Sequence, residues 1–346
     1  MSAPVRDAAL ATAALLLAIV AGSGFLEHVD PALLGYLGAT VVAFAGFTWR
    51  ASAFWRRRPS AFYARALGTV VVRCLRQPTL LREVLCSASR DLVAQTFVAR
   101  RSRVRWAAHL LLSLGTLASF AITLPLVFGW MRFVADGPAH YRAVVLGVAS
   151  PRFAVDGALG WLAFHALSLA GGAVLLGAIV FLVRRVRLRA LPGELAAFHT
   201  APLVLLLVVA ATGLALPATR HAPRLFDVAA LAHEIAVIVL LVALPFSKLH
   251  HVIVRPLQIG ARLVRAPGAA LIACADCGVA LAPAAQRAAV AELLARRGPV
   301  FAAHGDLCPA CRRRRVARAQ AALSGAAFHP DPLATQPAPR AARRAA

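Results

Sequence analysis

Residues 233–251 read HEIAVIVLLVALPFSKLHH, an apolar stretch that carries a histidine at each end. On a continuous helix His233 and His251, eighteen positions apart, point the same way and lie about 27 Å apart along the axis. The hydrocarbon core of a bilayer is about 30 Å thick, so this helix offers one imidazole near each side of a membrane. The stretch therefore predicts a membrane helix with two metal-ligating groups at different depths.

The composition also indicates a membrane environment. Hydrophobic residues make up 60% of the chain, charged residues make up 15%, and the mean hydropathy is +0.72, which is too apolar for an ordinary soluble domain. The net charge of +24 comes almost wholly from arginine, because Lys248 is the only lysine. Nucleic-acid-binding proteins also carry such a charge, but here the arginines cluster beside apolar stretches, as membrane topology requires. We therefore expect membrane lipid, and no nucleic acid, around the chain.

Six apolar stretches are long enough to cross a bilayer. They run over 8–26, 33–50, 106–130, 157–183, 200–217 and 228–248. Arginine clusters follow the second, fourth and sixth stretches and precede the third, whereas the opposite connections carry far fewer. By the positive-inside rule this pattern predicts a multi-pass protein of the inner (cytoplasmic) membrane of a bacterium, with both termini cytoplasmic. The first stretch favours an uncleaved anchor over a signal peptide.

Four histidines form two candidate pairs at matching depths. A haem with two histidine ligands bridges two helices, so both ligands must lie at one level of the membrane. His109 and His251 both lie near the predicted cytoplasmic face, and His165 and His233 both lie in the outer half. The pairs predict one or two b haems, with His199 as a possible substitute in the inner pair. The alternative is that these rings are interfacial anchors or hydrogen-bond partners of the helices.

Three motifs carry a resemblance to a known family. Trp106-Ala107-Ala108-His109 opens the third stretch, Ala211-Thr212-Gly213-Leu214 closes the fifth, and PFSKLHH follows His233 in the sixth. Over residues 100–256 the chain resembles the cytochrome b (gamma) subunit of respiratory nitrate reductase. Its relatives include the membrane subunits of heterodisulfide-reductase-like and sulfite-reduction-linked complexes.

This resemblance implies two b haems held by one histidine pair each, a quinone or quinol site, and a cytoplasmic iron–sulfur oxidoreductase partner. His109, His233 and His251 match the family's ligand positions. The family's other ligand in the third stretch falls where this chain has Ser119. Either His165 replaces that ligand or only the inner haem binds. No residue of the chain matches a quinone-site motif, so the catalytic residues are left unassigned.

Two Cys-x-x-Cys pairs follow the last apolar stretch. Cys274 and Cys277 form the first pair, and Cys308 and Cys311 form the second. Four thiolates in this spacing predict a tetrahedral metal site in a ribbon-like or treble-clef-like module, with a helix from Ala284 to Arg297 between the pairs. The spacing indicates a metal without choosing it: structural zinc and an iron centre that relays electrons both fit. His304 lies nearby but is surplus to a complete four-cysteine set.

The predicted fold class is an all-α membrane protein: a six-helix transmembrane bundle with a small cytoplasmic four-cysteine metal module. We divide the chain into two N-terminal membrane helices (1–50), a cytoplasmic amphipathic connection (51–105), a four-helix haem-binding core (106–256), the four-cysteine module (257–325) and a disordered basic tail (326–346).

The predicted function is a cytochrome b-type subunit of an oxidoreductase complex, which passes electrons between the quinone pool and a cytoplasmic partner. Either quinol oxidation or quinone reduction is compatible with the sequence. Two alternatives from other classes are a haem-free transporter or scaffold subunit, and a membrane anchor for a zinc-sensing module. The phased His233/His251 pair with a depth-matched His109 favours the cytochrome, since neither alternative needs it.

Overall fold

The computed structural model describes residues 2–56, 60–61, 68, 71–188, 193–252, 271–296 and 305–327. Only the backbone is described for residues 188, 193–199 and 285. The chain divides into two compact units, Met1–Arg56 with Thr69–Ala261, and Arg57–Gly68 with Arg262–Ala346. Most of the tail predicted to be disordered lies outside the described residues.

Six helices in the described part of the chain are long and apolar enough to cross a membrane, which agrees with the number predicted. They are α1 (Ala3–Gly22), α2 (Leu34–Trp55), α5 (Arg103–Val127), α6 (Ala158–Leu188), α7 (Gly193–Thr219) and α8 (Pro223–Ala243). Two shorter helices, α3 (Pro78–Ala88) and α4 (Thr96–Ala99), lie in the connection between α2 and α5.

The long helices pack in a ring that follows the chain. Helix α5 packs on α6, α6 on α7, α7 on α8 and α8 on α2. Helix α1 packs on α2, and a lighter contact joins α2 to α5. Small residues allow the closest approach, as is usual between membrane helices. An added Cβ at Gly115 of α5 would lie 2.8 Å from the Ala170 carbonyl oxygen, and one at Gly177 of α6 would lie 2.7 Å from that of Ala108. These two contacts define an antiparallel α5–α6 pair.

Helices α2 and α8 run parallel, and the first half of α2 packs along the second half of α8. Gly35, near the start of α2, faces Glu234 in the middle of α8, and Gly46 faces Pro245 just beyond the end of α8. Ala39, Ala43 and Leu241 form a small buried cluster between these two contacts. The parallel pair places the first half of α2 beside His233.

The predicted continuous helix through His251 is wrong. Helix α8 ends at Ala243, a short 3-10 turn covers Leu244–Phe246, and Ser247 is extended with φ −89° and ψ 179°. Pro245 lacks the N–H that the next helical hydrogen bond needs, and its ring clashes with the preceding turn. Arg50 of α2 instead donates to the Pro245 carbonyl oxygen at 2.6 Å. The orientation of the His251 ring is therefore not set by the face of α8 that carries His233.

A four-stranded sheet occupies the connection between α5 and α6, where no strand was predicted. Strand β1 (Met131–Ala135) pairs antiparallel with β2 (His140–Val145), which also pairs with β3 (Val148–Ala149) and β4 (Phe153–Ala154). Phe133 contacts Phe153 and Phe164, and so joins the sheet to the start of α6. In the sequence, Gly137 and Gly147 are the residues that indicate turns between these strands, and both have positive φ in the structure.

The second unit contains the small cysteine-bearing module. Strands β5 (Leu271–Ala273) and β6 (Ala280–Pro283) form an antiparallel hairpin. Helix α9 (Ala284–Ala295) follows directly, and α10 (Pro309–Ser324) closes the described part of the unit. The helix predicted between the two cysteine pairs is confirmed over Ala284–Ala295.

Candidate metal centre and membrane histidines

The first cysteine pair lies in the tight turn of the β5–β6 hairpin. The Cys274 N–H donates to the Val279 carbonyl at 2.8 Å, and the Gly278 N–H donates to the Cys274 carbonyl at 2.9 Å. Gly278 has φ +68°, a conformation that costs glycine little. This turn brings the Cys274 and Cys277 sulfurs to one side of the hairpin.

The second pair lies at the start of α10. Cys308 is the N-cap residue, and its sulfur accepts the Cys311 N–H at 3.3 Å. Pro309 occupies the first helical position, where a missing N–H costs nothing. Both sulfurs therefore lie at the positive end of the helix dipole, which favours thiolates.

The structure brings all four predicted cysteines together. Their sulfur atoms all lie within 4.8 Å of one another, and the Cys277–Cys308 sulfur separation is 3.7 Å. A tetrahedron with Zn–S bonds of about 2.3 Å has S···S edges of about 3.8 Å. Four thiolates at these separations can hold a metal ion. Cys274, Cys308 and Cys311 are buried with Leu307, whereas Cys277 is exposed.

Backbone donors and burial separate the acidities of the four thiols. The Cys308 N–H, which donates to the Cys274 sulfur at 3.2 Å, lowers the pKa of Cys274 to about 6. The Cys311 N–H lowers the pKa of Cys308. Burial, followed by hydrogen bonds to the Cys308 and Cys277 sulfurs, raises the pKa of Cys311 to about 12. A cation at the centre relieves the repulsion that prevents four neighbouring thiolates from forming together.

Two arginines of α10 lie beside the cysteine cluster. Arg314 donates to the Cys311 sulfur at 3.1 Å. Arg315 forms a two-point ion pair with Asp276, which lies between the first two cysteines. That pair ties α10 to the hairpin turn, and the carboxylate raises the pKa of Arg315 through their hydrogen bond. The hairpin turn and the start of α10 are thus connected by this ion pair as well as by the contacts among the four sulfurs.

His109 lies on α5, six residues after its first residue Arg103, and is half-buried. Its Nδ1 lies 2.5 Å from the Gln95 Oε1. Its ring meets that of Phe181 on α6 edge-on, with centroids 6.2 Å apart. Two elements outside α5 therefore hold this ring.

His233 lies on α8, ten residues after Pro223, and is also half-buried. Its Nδ1 lies 3.0 Å from the Thr212 Oγ1 of α7, and Tyr36 of α2 lies with its ring centroid 6.5 Å away. An added Cβ at Gly213 would lie only 2.9 Å from the ring's Cε1, so the absence of a side chain there makes room for the imidazole. Both helices that flank α8 contribute to this environment.

His165 and His251 are placed differently, because both are exposed and are held by their own backbone. The His165 Nδ1 donates to the Trp161 carbonyl at 2.8 Å, and the two rings stack with centroids 4.8 Å apart. The His251 Nδ1 donates to the Lys248 carbonyl at 2.7 Å. The contacts that fix the four rings therefore run to other residues and not between the members of the predicted pairs.

One feature is common to all four rings: Nδ1 faces an oxygen. Carbonyl and amide oxygens accept only, so Nδ1 carries the proton in His109, His165 and His251. The Thr212 hydroxyl also lies 2.8 Å from the Val208 carbonyl, and when it donates there its oxygen accepts the Nδ1 proton of His233. In the neutral rings Nε2 keeps its lone pair, which is the arrangement that metal-ligating histidines need.

Gln95 and Thr212 are partners that sequence reasoning did not identify as part of the site. Thr212 stands in a quoted motif, but nothing in that motif indicates that its hydroxyl faces His233. Gln95 lies fourteen residues before His109 and belongs to a different element. The side chain of His199 and all of His304 lie outside the described residues.

Comparisons of the chain with protein-family models, curated proteins and solved structures find no match.

Proposed function

We propose that this chain is a membrane electron-transfer subunit of the b-cytochrome type. It exchanges electrons between the quinone pool and an iron–sulfur oxidoreductase partner on the side predicted to be cytoplasmic. The observation that carries the proposal is the setting of two membrane histidines: His109 and His233 are each held by side chains from neighbouring elements, with Nδ1 against an oxygen. Such preorganised imidazoles in apolar helices are costly to keep without a ligand.

A haem iron, when bound, supplies one-electron transfer. If haem is bound, His109 with His251 and His233 with His165 would supply the nitrogens that hold its iron, and apolar helices would surround them. Gln95 and Thr212 accept the Nδ1 protons, which makes the opposite nitrogens better donors to a metal. His165 and His251 are the less constrained members of each pair, because only their own backbone holds them.

For the four-cysteine site we propose zinc in a structural role. A tetrahedral set of four sulfurs suits zinc or iron. A structural role is favoured because, among the described residues, the buried core of the module consists largely of the ligands themselves, with Leu307 and the half-buried Leu281. A unit with so small a core depends on its metal to fold.

The cytochrome proposal is tested by a reduced-minus-oxidised visible spectrum of the purified chain, with a pyridine haemochrome to count haem. Two b haems per chain support both pairs, and His165→Ala should then remove one of them. One haem supports the inner pair alone and overturns the outer assignment. Folded protein that contains no haem, after expression with adequate haem supply, overturns the proposal and favours the haem-free transporter or anchor. The exposed rings of His165 and His251 are the observation on which that alternative depends.

The metal proposal is tested by elemental analysis of the same preparation. Wild-type chain should contain one zinc, and Cys277→Ser should lower the zinc content. Cys86→Ser is the matched control, because Cys86 is equally exposed but lies outside the cluster. Iron in place of zinc, with the absorption of an iron–thiolate centre, would overturn the structural assignment.

A further inference from the structure

The segment before α5 is tied to that helix by side-chain hydrogen bonds. Ser89–Val93 forms a π-helical turn, and Gln95 follows with φ +50°, a left-handed conformation that is unusual for a residue other than glycine. Despite this strained backbone the Gln95 side chain is buried. Trp106 of α5 donates from Nε1 to the Ala94 carbonyl at 2.6 Å. Strain of this kind persists where the surroundings hold a side chain in place for a purpose.

The directions of the hydrogen bonds around Gln95 can be worked out from their geometry. The Ser113 hydroxyl donates to the His109 carbonyl at 2.7 Å, so its oxygen is free to accept. The Gln95 Nε2 donates to that oxygen at 2.7 Å. The other end of the amide, Oε1, therefore faces the His109 ring and can only accept. His109 must then carry its proton on Nδ1.

We propose that Gln95 is a positioning residue, which holds His109 as the Nδ1–H tautomer and so makes Nε2 the iron-binding nitrogen. This inference rests on the proposed function. Gln95 does not touch the iron; it acts only through the imidazole. Without it, the neutral ring is free to move its proton to Nε2, where it blocks ligation, or to rotate away from the position that Phe181 now bounds.

Four variants separate this role from a structural one. Gln95→Leu removes the acceptor at similar size, while Gln95→Glu keeps an acceptor for the Nδ1 proton. Ser113→Ala removes the partner that orients the amide. Trp106→Phe is the matched control, because it removes the other side-chain tie of the same segment without touching His109.

The first readout does not need haem. Chain labelled with ¹⁵N-histidine and expressed under haem limitation reports which ring nitrogen carries the proton, and His109→Gln identifies the signal. Wild-type chain, Gln95→Glu and Trp106→Phe should show the Nδ1–H form of His109. Gln95→Leu should show a mixture of tautomers, and Ser113→Ala should shift partly toward that mixture.

The second readout is the affinity for haem b, measured by titration of the same preparations. Gln95→Leu should weaken it by about 10–100-fold, as the loss of such partners does at other metal sites. Gln95→Glu and Trp106→Phe should stay near the wild-type affinity. An unchanged tautomer and affinity in Gln95→Leu would overturn the inference, as would an equal loss in Trp106→Phe. If wild-type chain binds no haem, the proposed function fails, and the tautomer measurement still decides whether Gln95 sets the proton position.

Discussion

The close approach of Gly213 to His233 gives a prediction that can be worked through from distances. In Gly213→Ala the new Cβ would lie 2.9 Å from the ring's Cε1 and 3.4 Å from its Nδ1. Ordinary contacts between carbon atoms fall at about 3.5–4.0 Å. The imidazole must therefore retreat by about 0.6 Å or more.

That movement has a calculable cost. A retreat of this size stretches the 3.0 Å contact between Thr212 Oγ1 and the ring beyond hydrogen-bonding distance. The lost hydrogen bond costs about 1 kcal/mol, and overpacking costs about 1–3 kcal/mol. Replacing a helical glycine by alanine returns up to about 1 kcal/mol. We expect Gly213→Ala to lower the free energy of unfolding by about 1–3 kcal/mol net.

The assay is a denaturant titration of the detergent-solubilised chain, run as a double-mutant cycle. Gly172→Ala is the matched control: no atom lies within 4 Å of its added Cβ, so it should stabilise α6 slightly. His233→Ala removes the ring that clashes, so Gly213→Ala in that background should behave like the control. If the chain binds the proposed outer haem, Gly213→Ala should also lower its occupancy, because the displaced imidazole would no longer be in position to hold it.

Two results would refute this reasoning. One is a Gly213→Ala variant as stable as Gly172→Ala. The other is an equal effect of Gly213→Ala with and without His233, since the cycle would then show no coupling between the two residues.

Three other predictions can be checked on the same protein. Zinc binding at pH 7 should release about two to three protons, because Cys274 with its pKa of about 6 is already ionised while Cys311 at about 12 is not. The zinc affinity should therefore rise with pH, and calorimetry in buffers of different ionisation enthalpy measures both the affinity and the proton release. Release of fewer than two protons would contradict the pKa pattern. Arg50→Met should cost about 1.5–3 kcal/mol through the lost bond to Pro245, seen by denaturant titration, and an unchanged midpoint would show that the bond contributes nothing. Ala139 lies at an exposed point before β2, in a connection predicted to face away from the cytoplasm. Ala139→Cys should therefore react with an impermeant maleimide in intact cells, whereas wild-type chain should not. Labelling only after permeabilisation would reverse the predicted membrane topology.

The sequence predicts those features that follow from composition and short spacing. Six long helices follow from the apolar stretches, because a membrane span needs about twenty apolar residues whatever its neighbours are. The cysteine cluster follows from two Cys-x-x-Cys pairs, because each short loop brings its own two sulfurs together and a tetrahedral metal ion needs both pairs. The helix prediction depends on local composition, and the cluster prediction depends on the number of ligands that the metal requires.

The two features that the sequence does not predict correctly are the end of α8 and the sheet before α6. In each, a local signal competes with another residue or with contacts that form only in the folded chain. The eighteen-residue spacing of His233 and His251 predicts a common helix face, but Pro245 stands between them and the helix ends before it. The four-stranded sheet before α6 was missed because its strands are short and its alternation is weak. Its stability comes from Phe133, Phe153 and Phe164, which are close only after the chain has folded.

The hydrogen-bond partners of the proposed histidine and cysteine ligands could not be predicted from the sequence, and the reason is physical. A ligand is recognised in a sequence by its own chemistry and spacing, but the proton on a histidine or cysteine is governed by whatever polar group lies opposite. Gln95 opposes His109 across an unusual left-handed turn, Thr212 opposes His233 across a helix interface, and the Cys308 N–H opposes the Cys274 sulfur across the module. In each case the controlling group comes from another part of the chain. If these residues bind metal as proposed, their affinity is a property of the fold, and substitutions at the opposing groups should change it while leaving every proposed ligand in the sequence intact.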